Sequence, residues 1–93
     1  MTLRCVAIRM SQGGSRHEHI TRIQWVQDGT TIRKDNSRAE MVDYVKKGGL
    51  AYVRDSRGDV AYLRVRVSST GTEYVQTWAD GIWSDNLLAL PRF

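Results

Sequence analysis

Glu73-Tyr-Val-Gln-Thr-Trp-Ala-Asp-Gly-Ile-Trp-Ser-Asp-Asn-Leu-Leu-Ala-Leu-Pro91 is the stretch of sequence that decides the fold. It begins with aromatic and β-branched residues that predict a strand, namely Tyr74, Val75 and Trp78. An Asp-Gly pair then predicts a turn, and the largest aliphatic cluster of the chain follows, formed by Leu87, Leu88 and Leu90. Because the run stops at a proline, we expect the rest of the chain to fold onto this stretch.

Size and charge limit what the protein can be. Residues 1–93 suffice for a single small domain, and a chain of this size buries only about 60 to 65% of its unfolded surface, which leaves little room for a deep cleft. Lys and Arg together number 14 against 10 Asp and Glu, a formal net charge of +4. This basic balance favours solubility and attraction to anions, but the sequence lacks the dense Lys/Arg clusters typical of nucleic-acid-binding proteins.

The cysteine content and the amino-terminal sequence indicate a cellular compartment. Cys5 is the only cysteine, so the chain can form no intramolecular disulfide and has no cysteine cluster for a metal. Such usage is typical of a reducing environment. The apolar run at residues 5–8 is too short for a signal peptide or a membrane helix. We therefore expect a cytoplasmic protein that does not associate with membranes.

Alternating apolar and polar residues predict strands in the first third of the chain. Residues 3–10 form the first strand and residues 20–27 the second. On the second strand, Ile23 and Trp25 lie two positions apart and are expected to share the buried face. Residues 30–33, after an Asp-Gly turn, are expected to form a short returning strand.

A helix is predicted over residues 38–47. Ser37 can cap its amino end, and Glu40 stands three residues later, which completes the capping-box pattern. Gly48 follows two lysines, a combination typical of a helix carboxyl end. The helix is expected to pack on a sheet through one apolar stripe formed by Met41, Val42 and Val45.

Two hairpins are predicted in the second half of the chain. In the first, residues 50–54 pair with residues 60–67, which places Tyr52 opposite Tyr62 on the face away from the core. The core positions of both strands then coincide, so the register is self-consistent.

The faces of the second hairpin depend on the length of its loop. A four-residue loop at 68–71 sets Arg66 directly across from Glu73 and places Tyr74 and Trp78 on the core side. A five-residue loop reverses those faces. We take the shorter loop as the prediction. Together, these elements predict one α+β domain with a mostly antiparallel sheet of about five strands and one short helix packed on one face.

Four short motifs also resemble a known family: Ser37-Arg-Ala-Glu-Met-Val42, Tyr74-Val-Gln-Thr77, Ala79-Asp-Gly81 and Asp85-Asn-Leu-Leu-Ala-Leu-Pro91. They are similar to those of the small family catalogued as domain of unknown function 3892, and the closing Asp-Asn-Leu-Leu-x-Leu-Pro is the most specific. Members often carry a Cys two residues after this Pro, where the present chain has Phe93. The resemblance spans nearly the whole chain and implies a protein of bacteria, phages or other mobile elements, with no activity attached.

Candidate catalytic and metal-ligating residues are few. His17 and His19 could supply two metal ligands, but transition-metal sites usually need three or four. Cys5 could act as a nucleophile with a distant histidine, although a lone strand cysteine is more typical of core packing. Asp80 and Asp85 could form an acid–base pair, yet Asp before Gly or Asn usually serves turns and caps. We therefore expect no enzyme activity, no cofactor and no metal site.

One set of residues on the outward side of the first hairpin combines basic and aromatic side chains. We call it the Tyr/Arg face, and its members are Tyr52, Arg54, Tyr62, Arg64 and Arg66. Such a surface can bind nucleotides or single strands by base stacking and phosphate neutralisation. The commoner explanation is a solvated sheet face kept soluble by arginines. In that case Arg66 is expected to pair with Glu73, and Arg54 with Asp55 or Asp59.

The sequence thus favours a small non-catalytic binding module that acts by occupying a protein partner or a second copy of itself. Arg, Tyr and Trp are enriched at the centres of protein interfaces, so the Tyr/Arg face and Trp83 are the expected contact residues. The alternative is that the same face binds nucleic acid or a small anionic nucleotide.

Overall fold

The computed structural model describes residues 2–93, which form one seven-stranded sheet with an α-helix on one side. The strands are β1 Thr2–Met10, β2 Ile20–Gln27, β3 Arg33–Ser37, β4 Leu50–Arg54, β5 Val60–Val67, β6 Glu73–Ala79 and β7 Ile82–Ser84. The helix is α1 Arg38–Lys46, and a 3-10 turn spans His17–His19. The strand order is β3-β2-β1-β4-β5-β6-β7. Neighbouring strands are antiparallel except β1 and β4, which are parallel.

The predicted α+β class is confirmed, but the sheet has seven strands where about five were expected. The two strands that differ from the prediction lie at its two edges. β7 is only three residues long, and it falls in a region whose sequence indicates a turn. β3 begins at Arg33 and continues to Ser37, so it overlaps the predicted strand at residues 30–33 by one residue. Its sequence is entirely polar, and an edge strand of this kind lacks the apolar alternation by which strands are recognised.

β1 runs almost as predicted but contains a bulge. Cys5 pairs with Trp25 and Ala7 pairs with Gln24, so Val6 is the extra residue. A bulge shifts the side-chain alternation by one position. As a result Cys5 and Ile8 both face the core, although their spacing of three would place them on opposite sides of a regular strand.

The helix prediction is confirmed to within one residue at its carboxyl end. The Ser37 Oγ atom accepts a hydrogen bond from the Glu40 backbone amide at 3.2 Å, and the Ser37 amide donates to Glu40 Oε1 at 2.9 Å. At the other end, Gly48 has a φ of +90°, and the Gly49 amide donates to the carbonyl of Tyr44 at 2.9 Å. This geometry is a Schellman motif, which favours glycine because of its positive φ.

The register of the first hairpin is confirmed, and that of the second is wrong. Tyr52 pairs with Tyr62 as predicted, but Arg66 pairs with Tyr74 and Glu73 pairs with Val67. The connecting loop therefore has five residues, 68–72, and a backbone hydrogen bond from Ser68 to Thr72 at 2.9 Å closes it. This extra residue moves Tyr74 and Trp78 to the side away from the helix.

The core forms between α1 and the sheet. Its members in the second half of the chain include Val75 and Leu63, and Thr77 is fully buried beside them. The remaining buried core residues are Leu3, Cys5, Ile8, Ile20, Ile23, Trp25, Met41, Val42, Ala51, Val53 and Leu87. We call the opposite side of the sheet, which lacks the helix, the open face.

The carboxyl-terminal residues 85–93, here called the closing segment, complete the sheet. β4 pairs with β1 only over Thr2–Arg4, so the same edge of β1 is available further along. There the Ile8 amide donates to the carbonyl of Pro91 at 2.9 Å, and the Phe93 amide donates to the carbonyl of Ile8 at 3.0 Å. Leu87 is fully buried. The expectation that this stretch closes the core is confirmed.

Within residues 2–93 no helix has the length and apolar composition that crossing a membrane requires.

We predict that Leu87→Ala lowers the free energy of unfolding by about 2 to 5 kcal/mol, because it removes a fully buried side chain and leaves a cavity. Urea unfolding followed by tryptophan fluorescence measures this change. Leu50→Ala is the matched control, since Leu50 is 52% exposed, and it should cost no more than about 1 kcal/mol. Equal losses for the two variants would contradict the role assigned to the closing segment.

Candidate functional site

Four aromatic side chains stand side by side on the open face. The strand register places Tyr52 beside Tyr62, Tyr62 beside Trp78, and Trp78 beside Trp83. The ring centroids of the two tyrosines are 5.8 Å apart, and those of the two tryptophans are 4.7 Å apart in an edge-to-face arrangement. We call these four residues the aromatic row. Cross-strand aromatic pairs of this kind stabilise a sheet.

The members of the aromatic row differ in exposure. Tyr62 is 45% exposed, whereas Tyr52 is 6% exposed. The Tyr52 hydroxyl donates a hydrogen bond to Asp28 Oδ1 at 2.7 Å, and this bond, together with burial, raises the pKa of Tyr52 above its ordinary value. Trp78 and Trp83 are half-buried. Tyr52 therefore anchors the row, and the other three rings present surface to a ligand.

This placement corrects the expectation for the tryptophans. Trp78 was predicted to face the core, but the five-residue loop puts it on the open face. Trp25 is the tryptophan in the core, and it is 9% exposed. Its indole Nε1 donates to Asn36 Oδ1 at 2.8 Å, so its polar atom is satisfied by the edge strand β3.

The arginines of the Tyr/Arg face lie over the aromatic row. The Arg66 guanidinium carbon is 4.4 Å from the centroid of the Trp83 ring, and that of Arg64 is 5.1 Å from the centroid of Trp78. Arg54 lies 5.9 Å from the ring of Tyr52. These distances fall within the range of cation–π attraction, which the electron-rich ring faces provide.

The carboxylates that were expected to neutralise these arginines are engaged elsewhere. Glu73 forms an ion pair with Lys46 of α1. Arg57 lies 3.7 Å from Asp55 and 3.6 Å from Asp59. Among residues 2–93, no carboxylate lies within 4 Å of the guanidinium groups of the Tyr/Arg face. The ion pairs of the solvated-face interpretation are thus absent from this part of the chain.

A buried glutamine forms a hydrogen bond with one of the arginines. Gln76 is 8% exposed, and its side-chain oxygen accepts a hydrogen bond from Arg66 Nη1 at 3.0 Å. Its amide nitrogen donates to the backbone carbonyl of Ser84 at 3.1 Å. Gln76 therefore connects β5 to β7 and orients the Arg66 guanidinium beside Trp83. With the predicted four-residue loop, Gln76 and Trp78 would both face the core. The five-residue alternative places both side chains on the open face, as observed.

The two histidines are used in packing and turn formation. His17, considered above as a possible metal ligand, is only 7% exposed, and its ring stacks on that of Tyr74 with centroids 6.4 Å apart. His19 Nδ1 accepts hydrogen bonds from the backbone amides of Ser15 and Arg16. Within the described residues, no group of three or more His, Cys, Asp or Glu side chains is arranged to hold a metal ion.

The other candidate catalytic groups also have structural surroundings. Burial raises the pKa of the Cys5 thiol from 9.0 to about 12. Asp80 has a φ of +54° and Gly81 a φ of +78°, as a tight β-hairpin turn requires, so the predicted turn is confirmed. The backbone carbonyl of Asp85 accepts a hydrogen bond from the amide of Ala89 at 3.0 Å, which begins the turn that carries Leu87 into the core.

The fold and the open face together describe a small α+β domain with an aromatic and basic sheet surface. The family model described as Protein of unknown function (DUF3892) matches residues 4–91, and the chain belongs to that family. The resemblance carried by the closing motif is therefore confirmed. No curated protein and no solved structure matches the chain.

We predict that Cys5 is unreactive in the folded protein. A pKa of about 12 instead of 9.0 lowers the thiolate fraction at pH 8 about a thousandfold, and only the thiolate is nucleophilic. A disulfide-exchange reagent such as dithiobisnitrobenzoate should label the native protein at least a hundredfold more slowly than the urea-unfolded chain. Rapid labelling of the native state would instead identify Cys5 as an accessible nucleophile.

We also predict that His17 makes stability depend on pH. Burial lowers the pKa of His17 below 6.5, against the opposing charges of Asp85 and Glu18. Because the unfolded chain then binds a proton more readily, His17 leaves the free energy of unfolding unaffected above pH 6.5 and lowers it as the pH falls through 6.5 towards the folded-state pKa. Urea unfolding between pH 7.5 and 5 should show this loss. His17→Phe should reduce it, and identical pH profiles for the two proteins would exclude this role.

Proposed function

We propose that this domain is a non-catalytic binding module whose Tyr/Arg face, together with Trp78 and Trp83, binds an anionic ligand that carries a flat ring. Nucleotides and single-stranded nucleic acids have this combination of phosphate and base. The observation that carries the proposal is the set of arginines that lie over the aromatic row with no carboxylate within 4 Å among residues 2–93.

The charge of the face supports an anionic ligand. An arginine that has already formed an ion pair contributes little net free energy to phosphate binding, because the phosphate must first displace the carboxylate. Arg54, Arg64 and Arg66 need no such displacement among the described residues. Among the described strand residues that point to the open face, the one carboxylate is that of Asp35, and it forms an ion pair with Arg22. The positive potential of the Tyr/Arg face is therefore not cancelled from within the sheet.

The aromatic row supports a ligand that stacks. Tyr62 is 45% exposed, and the half-buried rings of Trp78 and Trp83 continue the same surface. A base that stacks on an aromatic side chain gains about 1 to 3 kcal/mol. A base can replace the guanidinium group on each tryptophan ring while the arginine pairs with a phosphate. For Arg66 this exchange gives up one hydrogen bond to the neutral side chain of Gln76. The ligand thus satisfies the cations and the rings together.

A protein partner remains the second candidate, and a different observation favours it. Leu50 and Val60 lie on the open face by register, on the same side of β4 and β5 as Tyr52 and Tyr62. They are 52% and 37% exposed. Exposed aliphatic side chains beside Tyr, Trp and Arg are typical of a protein interface, including one with a second copy of the chain.

Salt dependence distinguishes the two candidates. We predict that the domain binds a fluorescein-labelled oligothymidylate tetramer, measured by fluorescence anisotropy, and that the logarithm of affinity falls linearly with the logarithm of salt concentration. The double variant Arg64→Gln and Arg66→Gln should bind more weakly. Its salt slope should be smaller by about 1.4, since each phosphate contact on a single strand contributes about 0.7.

The matched control is Lys34→Gln with Lys47→Gln, which removes the same charge. Lys34 is exposed and pairs with Trp25, so it lies on the helix side of the sheet. Lys47 is exposed at the end of α1. This variant should bind the tetramer as the unaltered protein does. If the two double variants lose equal affinity, the effect is one of net charge and the Tyr/Arg face is not the site. If the unaltered protein binds neither the tetramer nor a longer oligothymidylate at low salt, the nucleotide proposal fails and the protein interface becomes the leading candidate.

A further inference from the structure

The aromatic row is one part of a line of side chains that crosses the whole sheet. Tyr52 on β4 pairs with Arg4 on β1. Arg4 in turn pairs with Val26 on β2, and Val26 pairs with Arg33 on the edge strand β3. Paired residues of neighbouring strands point to the same side of a sheet. The open face therefore carries a single row with rings at the β7 end and arginines at the β3 end.

The two arginines at the β3 end are accessible and carry uncompensated charge. Arg4 and Arg33 are both exposed. Arg33 Nη1 donates to the side-chain oxygen of Gln24 at 3.2 Å, a neutral partner. Among residues 2–93, neither arginine has a carboxylate within 4 Å.

Two acidic residues near this row each have a partner of their own. Asp28, in the turn after β2, accepts the hydrogen bond from the Tyr52 hydroxyl. Asp35 on β3 forms an ion pair with Arg22. These carboxylates lower the positive potential locally, but their hydrogen-bonding atoms are directed at Tyr52 and Arg22. Arg4 keeps its donors for a ligand, and Arg33 keeps all except the Nη1 hydrogen that Gln24 accepts.

The length of the row decides what kind of ligand can use all of it. Six inter-strand spacings of about 4.8 Å separate β3 from β7, or about 29 Å. A mononucleotide placed on the rings cannot reach the arginines at the far end. Only an extended anion that carries several phosphates can contact Trp83 and Arg33 together. A duplex is excluded as the stacking ligand, because its base faces are covered by their neighbours.

We infer that the ligand is a single-stranded nucleic acid that runs across the strands, with bases on Tyr62, Trp78 and Trp83 and with the continuing backbone on Arg4 and Arg33. This inference deepens the proposed function and rests on it. It assigns Arg4 and Arg33, which lie outside the Tyr/Arg face, as contact residues for the phosphates of a longer strand. The polymeric ligand has the chemistry of either DNA or RNA.

The length of the oligonucleotide tests the inference. Anisotropy titrations with labelled oligothymidylates and oligouridylates should show that dodecamers bind at least thirtyfold more tightly than tetramers. This exceeds the gain of about ninefold expected from the additional binding registers alone. The salt slope for the dodecamer should be steeper than that for the tetramer by about 1.4 or more, because two further phosphate contacts are made. If the oligothymidylates and the oligouridylates bind with different affinities, the tighter series identifies the natural polymer, since proteins use the 2′-hydroxyl to distinguish RNA from DNA.

The residue assignment has its own variant. The double substitution Arg4→Gln and Arg33→Gln should lower the dodecamer affinity at least threefold, which returns the dodecamer-to-tetramer ratio from thirtyfold or more to the statistical value of about ninefold. Lys34→Gln with Lys47→Gln removes equal charge from the helix side and should leave the ratio unchanged. Circular dichroism and the urea midpoint verify that both variants are folded. If the Arg4/Arg33 variant is unfolded, the difference in salt slope between the two lengths in the unaltered protein still decides.

The failures are distinguishable. If tetramer and dodecamer bind with affinities that differ only statistically and with equal salt slopes, the polymer inference is wrong while the proposed function stands. An unchanged ratio in the folded Arg4/Arg33 variant overturns the assignment of these two residues. If neither length binds at low salt, the proposed function and this inference fail together.

Discussion

Two hydrogen bonds at Ile8 hold the two parts of the sheet together. β4 leaves β1 after Arg4, and from there the edge of β1 would present unpaired backbone groups. The carbonyl of Pro91 and the amide of Phe93 supply the missing partners, while Leu87 fills the adjacent core. A buried amide or carbonyl without a partner is costly, so the parallel join between β1 and β4 depends on the closing segment. β5, β6 and β7, and with them the aromatic row, are added to the sheet through β4.

The division between the core and the open face depends on the length of one loop. With loop 68–72, Val75 and Thr77 point into the core while Tyr74 and Trp78 point away. One residue fewer would exchange the two sets, because side chains alternate at every position of a strand. The same choice that buries an aliphatic and a hydroxyl side chain under α1 therefore collects the rings and cations on the opposite side. The packing of β6 and its contribution to the candidate site are thus set by a single structural variable.

Sequence patterns succeed where the interactions are local. The capping box at Ser37, the glycine end of α1 and the first hairpin all involve residues close together in the chain, and each was predicted with its correct position. The Tyr/Arg face could be recognised for the same reason, since Tyr52 and Tyr62 belong to one hairpin. The prediction fails where distant contacts decide. β3 is polar and becomes a strand by pairing with β2, and His17 is buried in contact with Tyr74, which lies far away in the sequence.

The closing contacts have a consequence for the dynamics of the fold. The Arg9 side chain donates to the carbonyl of Phe93 at 3.0 Å, across 84 positions of sequence, and ordering so long a loop carries a large entropic cost. Contacts of such separation form late in folding and slow it. The closing segment is held by the buried Leu87, by Leu88 and Leu90 packed against the core, and by the backbone bonds at Ile8. Because the join between β1 and β4 depends on these contacts, opening of the closing segment weakens the sheet at its centre, and we expect exchange of the Ile8 amide proton with solvent to require that opening.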